Sequence, residues 1–347
     1  MIRSKTAQIS MKNKGTVIVF GATGNLGAYS AMQLYRDGYK VIAIGGRKSD
    51  NGFFAQYGID YYSVDICNSE AFDILPNIQA DAVLNFAGEL PSRYNYNPQA
   101  LLDTITKGTL NILEYMRKTG SKKIIFPQTP YDLSRHHTSG KPMEADAVRS
   151  FPLTGDHAVY TIAKNAAVDL IEHYHAEYGI SRFILRFFTI YQYHPNAYHY
   201  ADYKKRMMPY RMLMDRASKS LPIEIWGDAK KAKEMVYIKD FTHLVSLCVA
   251  SDLAGGIYNV GNGWQVSLED QILGIIKVFS PENAPSPVIY CPEKPDPLVS
   301  AFDISKTVRD LGFAPQYTYI QQLQDFKQEM EDEPFAMLWG TKHDYTE

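Results

Sequence analysis

A tyrosine and a lysine four residues apart, Tyr160 and Lys164, are the two side chains in this sequence whose types and spacing best suit a chemical reaction. Residues at positions i and i+4 share one face of a helix, so a phenol and an ammonium can point into the same site. A free tyrosine has a pKa of about 10, and a neighbouring cation favours the phenolate. The pair predicts acid–base chemistry at Tyr160, although an ordinary exposed helix pair has the same spacing.

A glycine-rich segment, GATGNLG at residues 21–27, directly follows an apolar run and opens a helical stretch. The first glycine permits a tight turn, the second lets backbone approach a pyrophosphate, and the third allows close packing of helix and sheet. The helix N-terminus adds a positive dipole that attracts phosphate. This context predicts a dinucleotide-binding loop rather than a plain strand–turn–helix. Its predicted cofactor-binding residues are Gly21, Thr23, Gly24, Asn25, Leu26 and Gly27.

Arg47 lies 20 residues past Gly27, in the segment GGRK at 45–48, and no Asp or Glu precedes it on the predicted strand. An acidic residue at about this distance holds the ribose 2′-hydroxyl of NAD, whereas an arginine suits the 2′-phosphate of NADP. The sequence therefore favours NADP over NAD as cofactor. The alternative is that Arg47 and Lys48 are only solvated turn charges.

The elements that must position these residues alternate between strand and helix. Strands bounded by helical stretches predict a parallel sheet covered on both faces. After about residue 190 this alternation breaks down: 191–210 is predicted as a long loop or lid, and 281–297, with six prolines, as a loop. The predicted strands are 16–20, 41–44, 61–64, 82–86, 123–126, 182–187 and 223–226, and the predicted helices are 27–37, 100–118, 158–178, 207–219, 239–251, 303–311 and 319–331.

The predicted fold class is α/β, a Rossmann-type doubly wound parallel sheet with a smaller, irregular α/β substrate-binding region towards the C-terminus. The dinucleotide-binding domain is predicted over 15–188 plus about 232–262. The substrate-binding region is predicted over 189–231 plus 263–333, with terminal tails at 1–14 and 334–347.

Composition excludes several classes of protein. Of 347 residues, 45% are hydrophobic and 21% charged, as in ordinary globular proteins, and the net charge of −2 gives no basic field for nucleic acid. No run of about 18 apolar residues predicts a membrane span. Three scattered cysteines form no CxxC pair and fit a reducing cytoplasm. His173 and His175 lie two apart on a helix and face away from each other, so no metal site is predicted.

Nine segments occur in the order and spacing of the extended short-chain dehydrogenase/reductase family, which the sequence resembles in its sugar-nucleotide epimerase/dehydratase group. The resemblance runs from about residue 14 to residue 327. The segments are GATGNLG (21–27), VDI (64–66), NFAG (85–88), GTLNILE (108–114), KKIIFPQT (122–129), YTIAK (160–164), LRFFTIY (185–191), EMVYIKD (234–240) and YNVGNG (258–263).

The resemblance implies roles for further residues. It implies that Thr129, at the end of the fifth strand, joins Tyr160 and Lys164 in a catalytic triad. Tyr160 and Lys164 also contact the cofactor under this resemblance. The remaining residues implied to bind cofactor are Asp65, Ile66, Phe86, Ala87, Gly88 and Phe188, and those implied to bind substrate are Glu89, Thr129, Thr189 and Lys233.

The sequence also departs from the family pattern. The 4,6-dehydratases carry Asp-Glu directly after the hydroxyl residue, and Pro130 and Tyr131 stand there in this chain, which argues against dehydration. Thr189 replaces the usual substrate-contacting Asn. Lys233 replaces an Arg that meets the diphosphate, which keeps the charge and loses the bidentate geometry. A second phosphate-binding Arg is missing, with Lys294 the nearest cation.

The function that the resemblance implies is an NAD(P)-dependent epimerase or ketoreductase acting on a sugar that is nucleotide-linked. A reductase of a non-sugar ketone or aldehyde is an alternative, and a catalytically silent NAD(P)-binding sensor or scaffold is another. The helices predicted at 100–118 and 158–178 correspond to the family's dimer interface, so a homodimer is expected. His136, His137, His194 and His199 are expected as solvated loop side chains rather than as residues of the substrate cleft.

Overall fold

The structure, a computed structural model, describes residues 14–91, 96–137, 141–201, 204–296, 299 and 301–345. The predicted N-terminal tail therefore lies outside the described residues apart from Lys14. Seven strands form one sheet in which every neighbouring pair is parallel. They are β1 (Thr16–Phe20), β2 (Lys40–Gly45), β3 (Asp60–Ser63), β4 (Ala82–Asn85), β5 (Lys123–Gln128), β6 (Ser181–Phe187) and β13 (Gly255–Val260).

The strand order across this sheet is β3-β2-β1-β4-β5-β6-β13. The order reverses beside β1, and in doubly wound sheets ligands bind in the crevice at the carboxyl ends of the strands at such a reversal. The central strands are almost wholly apolar because helices cover both of their faces. The predicted fold class, a Rossmann-type α/β sheet, is confirmed.

Ten α-helices fall in the described residues. Helices α1 and α6 pack together on one face of the sheet, and α3 and α4 cover the other face. The helices are α1 (Asn25–Arg36), α2 (Pro98–Leu101), α3 (Gly108–Thr119), α4 (Ala158–Tyr178), α5 (Pro209–Ser218), α6 (Ile238–Ala250), α7 (Leu268–Phe279), α8 (Ser305–Leu311), α9 (Tyr319–Asp332) and α10 (Ala336–Trp339).

A π-helical segment, Leu102–Lys107, joins α2 to α3 where the sequence predicts one continuous helix. Thr104 in this segment donates its hydroxyl to the carbonyl of Ala100, and Thr106 donates to the carbonyl of Ala163 in α4. Such single-turn π segments often occur at functional sites. This one turns Thr104 towards the carboxyl ends of the central strands.

Small strand pairs build the region after β6. Strands β10 and β15 pair in parallel, β7 pairs with β12 in parallel, and β8–β9 and β11–β14 are antiparallel pairs. These strands are β7 (Ile190–Tyr191), β8 (Tyr198–Ala201), β9 (Lys204–Met207), β10 (Ile223–Trp226), β11 (Ala232–Lys233), β12 (Val236–Tyr237), β14 (Val266–Ser267) and β15 (Val288–Cys291).

Two predicted loops contain strands, and those two expectations were wrong. The stretch 191–210 contains the antiparallel pair β8 and β9, in which the two tyrosines of β8 are residues that favour strands. The stretch 281–297 contains β15, four residues that fit between Pro287 and Pro292 and extend the edge of β10. Helix α7 and strand β13 were not predicted as elements.

The C-terminal stretch is folded onto the first half of the molecule. Phe335, Leu338 and Trp339 are buried in the same apolar core as α1. Residues 346–347 lie outside the described part. Within the described residues, none of the helices is both long and apolar enough to cross a membrane.

Candidate functional site

The glycine loop lies at the carboxyl end of β1, against the turn that follows β4. Gly21 has φ of 79°, a left-handed conformation that favours glycine, and a Cβ there would lie 2.6 Å from the backbone nitrogen of Ala87. A Cβ on Gly27 would lie 2.1 Å from the carbonyl oxygen of Gly21. Both positions therefore exclude any side chain, and the loop can take this compact form only with glycine.

A cavity of about 430 Å³, here called the glycine-loop cavity, opens beside this loop. Helix α1 begins there with Gly24 as its N-cap, so no side chain caps its first turn. The uncapped backbone N–H groups and the helix dipole suit a phosphate. The residues that line it are Gly21, Thr23, Gly24, Ile44, Gly45, Gly46, Val64, Asp65, Ile66, Phe86, Ala87, Gly88, Glu89 and Thr104.

A second cavity of about 470 Å³, here called the Tyr160 cavity, shares the turn 86–89 with the first. It brings together Thr129 from the end of β5 and Tyr160 and Lys164 from α4. Its other lining residues are Leu26, Phe86, Ala87, Gly88, Glu89, Leu90, Pro91, Pro127, Gln128, Pro130, Tyr131, His137, Phe187, Phe188 and Thr189.

Lys164 is buried beneath the Tyr160 cavity, and its ammonium has no carboxylate partner among the described residues. Its Nζ donates to the carbonyl oxygen of Pro127 at 2.8 Å and lies 4.4 Å from the ring centre of Phe126 and 5.9 Å from that of Tyr160. Burial lowers the pKa of Lys164 to about 7. Lys164 can therefore lose or keep its proton near neutral pH.

Burial also raises the pKa of Tyr160 above its ordinary value. The sequence-based expectation that Lys164 lowers this pKa is therefore not met in the chain alone, because desolvation of the phenolate outweighs a cation about 6 Å from the ring. The Tyr160 hydroxyl has no hydrogen-bond partner within the described part of the chain. It is a proton donor left available to a bound molecule.

Thr129 is held by its own turn and by a buried polar network. Its hydroxyl accepts from the backbone N–H of Tyr131 at 3.2 Å, and its own N–H donates to Gln128 Oε1 at 2.8 Å. Gln128 Nε2 in turn donates to Asn165 Oδ1 at 2.9 Å, which ties the end of β5 to α4. These bonds hold Thr129 in the wall of the cavity that Tyr160 also lines.

Asp132 is the nearest carboxylate after Thr129 in the sequence, and it is withdrawn from the cavity. Its side chain is fully buried, and its Oδ2 accepts from Arg186 Nε at 3.2 Å and Nη2 at 2.8 Å. A charge paired in this way is expensive to separate. Asp132 is therefore a structural anchor between the turn after β5 and strand β6.

Four predicted site residues line neither cavity. Asn25 and Gly27, the last part of the glycine-rich segment, lie in the first turn of α1. Arg47 lies just past Gly46 and donates from Nη1 to the carbonyl oxygen of Leu338 at 2.7 Å. Lys233 lies on β11, where burial lowers its pKa, and its ammonium has no hydrogen-bond or ion-pair partner among the described residues.

Several residues at the Tyr160 cavity were not predicted from the sequence. Tyr131 lies on the ring of His157 with centroids 4.0 Å apart, and His157 Nδ1 contacts Asp156 at 2.6 Å. His137 lines the Tyr160 cavity beside Phe188, with ring centroids 5.6 Å apart, so the expectation of a solvated side chain was wrong there. The stretch around these residues departs from the family pattern, so no motif identified them.

His194 is a second histidine that was expected in solvent and that the structure partly buries. Its ring lies against Trp339, with centroids 4.6 Å apart, and burial lowers its pKa to about 4. No predicted element covered Trp339, because the stretch after 333 was expected as a tail. Within the described part of the chain, no cluster of His, Cys, Asp or Glu could hold a metal ion.

Comparison with known proteins assigns the family. The sequence model of the NAD dependent epimerase/dehydratase family matches residues 17–261, well over half of the chain. The chain belongs to this family. The resemblance seen in the sequence motifs is thus confirmed.

Two curated relatives illustrate how the whole chain aligns. A UDP-glucuronate 4-epimerase of Thermodesulfobacterium geofontis is 25% identical over 314 residues, 87% of this chain and 92% of the relative. A UDP-glucose 4-epimerase of Bacillus subtilis is 23% identical over 327 residues, 86% of this chain and 91% of the relative. The alignments therefore extend through the region after β6 as well as the sheet.

Solved structures agree with the fold. A UDP-glucose 4-epimerase of Thermotoga maritima, solved with UDP-glucose, superposes with a TM-score of 0.73 at 20% identity, over 91% of this chain and 99% of that one. A UDP-glucuronic acid 4-epimerase of Bacillus cereus, solved with NAD, gives a TM-score of 0.67 at 20% identity, over 91% and 99%.

Proposed function

We propose that this protein is an NAD(P)-dependent epimerase or ketoreductase acting on a nucleotide-linked sugar. The observation that carries the proposal is that Thr129, Tyr160 and Lys164 line one cavity, which shares a wall with the glycine-loop cavity. A dinucleotide in one cavity and a sugar in the other would meet at the turn 86–89. The names of the relatives, UDP-sugar 4-epimerases, support the same class of substrate.

The glycine-loop cavity fits a nicotinamide dinucleotide. Glycines at 21 and 27 leave no room for side chains, and the uncapped N-terminus of α1 faces the space where a pyrophosphate would lie. Asp65 and Ile66 would border the adenine, and Ala87, Gly88 and Phe188 the nicotinamide. A bound nicotinamide supplies hydride transfer to or from a carbon of the substrate.

NADP is proposed as the preferred cofactor. The turn after β2 offers Arg47 and Lys48, both exposed, and no acidic side chain to accept a ribose 2′-hydroxyl. The next acidic residue along the chain, Asp50, accepts hydrogen bonds from the backbone N–H groups of Gly52 and Phe54. A 2′-phosphate would find a cation there, whereas an unmodified ribose would lack its usual acceptor.

Tyr160 is proposed to move the proton of the reacting hydroxyl or ketone. Its hydroxyl would donate to a substrate oxygen in the ketone-reducing direction, assisted by the hydroxyl of Thr129. In the oxidising direction the phenolate must form, and the positive charge of an oxidised nicotinamide adds to that of Lys164 in stabilising it. Lys164, already within the cavity wall, would also bind the cofactor ribose.

Lys233 is proposed to bind a substrate phosphate. It is largely buried, its pKa is lowered by that burial, and its ammonium has no partner among the described residues. A buried unpaired cation is unfavourable by itself and is relieved by an anion such as a diphosphate. Glu89 and Thr189, which line the Tyr160 cavity, are proposed to contact the sugar.

A non-sugar ketone or aldehyde is a second candidate substrate. The walls of the Tyr160 cavity are rich in apolar side chains, with Leu90 and three prolines among them, and such walls also suit a molecule less polar than a sugar. A silent cofactor-binding protein is a third reading. The available hydroxyl of Tyr160 beside Lys164 counts against it, since a pure binder needs no aligned proton donor.

We also propose a homodimer in the cytoplasm. Helices α3 and α4, which lie in the two stretches that the family resemblance implies for dimerisation, carry the partly exposed apolar side chains Leu110 and Ile162. All three cysteines are free thiols, which suits a reducing compartment.

The regions 189–231 and 263–333 are proposed to hold the substrate over the sheet.

Incubation of the purified protein with a panel of nucleotide sugars and 4-keto sugars tests the proposal. Mass spectrometry and NMR would follow the products, and absorbance at the reduced-nicotinamide band would follow the cofactor. An epimer formed without net cofactor consumption identifies an epimerase, and stoichiometric consumption identifies a reductase. Turnover of simple ketones alone would favour the second candidate, and no turnover of any substrate would contradict the proposal.

A further inference from the structure

The C-terminal segment 334–345, here called the C-terminal strap, lies against the glycine loop. It carries α10 and a final 3₁₀ turn, and its apolar side chains Phe335, Leu338 and Trp339 are buried. Phe335 packs on Tyr29 of α1 with ring centroids 4.6 Å apart and on Phe53 at 5.5 Å. The strap is therefore a fixed part of the fold next to the turn that would hold phosphate.

One anchor joins the strap to the glycine loop. Trp339 donates its indole N–H to the carbonyl oxygen of Thr23 at 2.9 Å, and both groups are buried. Thr23 lines the glycine-loop cavity between Gly21 and Gly24. A buried hydrogen bond to a loop carbonyl restrains the peptide plane that carries this carbonyl. Trp339 thereby holds the loop conformation from behind.

A second anchor joins the strap to Arg47. The guanidinium donates from Nη1 to the Leu338 carbonyl oxygen at 2.7 Å, and the Arg47 carbonyl oxygen accepts from the Tyr61 hydroxyl at 2.6 Å. Asn51, on the same loop, donates from Nδ2 to the Met337 carbonyl oxygen at 2.9 Å. The arginine is thus held at both its backbone and its head, beside Gly46 of the glycine-loop cavity.

We propose that the C-terminal strap is a positioning element for the cofactor, with Trp339 fixing the glycine loop and Leu338 fixing Arg47 for the ribose 2′-phosphate. The inference rests on the proposed function for its cofactor. An unrestrained arginine loses side-chain rotamer entropy when it is ordered on a ligand. Ordering it in advance removes much of that loss from the binding step.

The two anchors have separable consequences. Loosening the glycine loop affects the pyrophosphate, which NAD and NADP share, so their dissociation constants should rise together. Releasing Arg47 affects only the 2′-phosphate, so the preference for NADP should fall. A strap that serves stability alone would change the melting temperature of the chain and leave both dissociation constants unchanged.

Titration calorimetry of the full chain with NADP⁺ and with NAD⁺ tests this inference. Trp339→Phe keeps the ring packing and loses the N–H donor, and we expect it to weaken both cofactors by about 5- to 10-fold, the loss of one buried hydrogen bond. Trp339→Ala releases α10 as well, and we expect a further loss of about 10-fold for NADP⁺ alone. Arg47→Ala should weaken NADP⁺ binding by the same factor of about 10 and leave the dissociation constant of NAD⁺ unchanged.

Trp226→Phe is the matched control, since it also loses an indole hydrogen bond, to Glu224, far from the glycine loop in the chain. It should bind both cofactors as the unaltered chain does. Wild-type dissociation constants in folded Trp339→Phe and Trp339→Ala would overturn the inference. Because binding is measured without substrate, failure of all sugar turnover would overturn the proposed function and leave this result standing.

Discussion

Lys164 is buried and has no counter-ion among the described residues, which sets the balance between stability and chemistry at the site. Within that part of the chain its Nζ contacts the carbonyl oxygen of Pro127 and two aromatic rings. Burying an ammonium without a carboxylate destabilises the folded chain, and such strain is usual where a reaction needs it. The sequence pattern predicted that Lys164 shares one helix face with Tyr160. It could not predict the burial, which depends on how β5 and α4 pack.

Lys164→Met should therefore stabilise the cofactor-free chain while abolishing turnover. Removal of a desolvated charge predicts a rise of about 2 to 5 °C in melting temperature. Lys239→Met is the matched control, because Lys239 is paired with Asp325 and Glu329, which raise its pKa. That variant should melt lower than the unaltered chain. Scanning calorimetry measures both, and a lower melting temperature in Lys164→Met would refute the account.

The same lysine predicts a pH dependence of stability. Its folded pKa of about 7 lies below its ordinary value of 10.5, so the unfolded chain binds more protons between these two values. The free energy of unfolding should then rise as pH increases from 7 towards 9. Urea titrations at pH 7, 8 and 9 measure this slope. The rise should be smaller in Lys164→Met, and equal slopes in the two proteins would count against the depressed pKa.

Thr129 offers a test of the hydroxyl that assists Tyr160. Thr129→Ser keeps a hydroxyl for both the substrate and the N–H of Tyr131, whereas Thr129→Val loses it. We expect Thr129→Val to lose about 10- to 100-fold in kcat and Thr129→Ser to lose much less. Steady-state kinetics with the substrate found in the panel measures this. Equal activity in the valine variant would remove Thr129 from the reaction.

Helices and strands were predictable where the pattern of neighbouring residues determines them. Helix α4 runs over the predicted range 158–178, because its apolar periodicity and the glycine after it mark its length. The β8–β9 hairpin and β15 were not recognised, since a short strand among tyrosines or prolines depends on a distant partner. Helix α7 packs on α5 and α9, which are far from it in the sequence, and the glycine at 274 weakens its helical pattern.

The glycine loop yields a prediction at this scale. Gly27→Ala would place a Cβ 2.1 Å from the Gly21 carbonyl oxygen, and backbone cannot move aside easily. We expect it to destabilise the chain and to abolish cofactor binding. Gly46→Ala is the control, because a Cβ there meets nothing within 4 Å, and its melting temperature should match that of the unaltered chain. Melting curves without cofactor measure the stability of both variants, and calorimetric titration measures their NAD⁺ binding. Normal NAD⁺ binding by Gly27→Ala would contradict this geometry.

At the scale of the whole molecule, the alternation of strands and helices was enough to predict the parallel sheet. A parallel doubly wound sheet places the carboxyl ends of its strands together, so residues from β1, β4 and β5 converge however far apart they lie in sequence. The packing of the C-terminal strap could not be predicted, because its twelve residues show no helical or strand periodicity. Its contacts with α1 and with the loop after β2 join residues that are far apart in the sequence.

The dimer is a prediction for the assembled molecule. Leu110→Glu places a charge on the exposed face of α3, in the proposed interface, and should leave a species of about one chain mass in light scattering. Leu273→Glu makes the same change on the exposed face of α7 and should remain dimeric. A single-chain mass for the unaltered protein, 39.3 kDa, would reject the homodimer.

The central claim is that Tyr160 moves a proton while a nicotinamide in the adjoining cavity exchanges a hydride with a sugar carbon. Stopped-flow absorbance of the enzyme loaded with oxidised cofactor, mixed with an excess of a nucleotide sugar, tests it directly. We predict a transient reduced-nicotinamide band in the unaltered enzyme, formed about 100-fold or more slowly in Tyr160→Phe with cofactor still bound. Tyr178→Phe, at the exposed end of the same helix, should behave as the unaltered enzyme. An equal rate in Tyr160→Phe, or no band with any nucleotide sugar, would contradict the account.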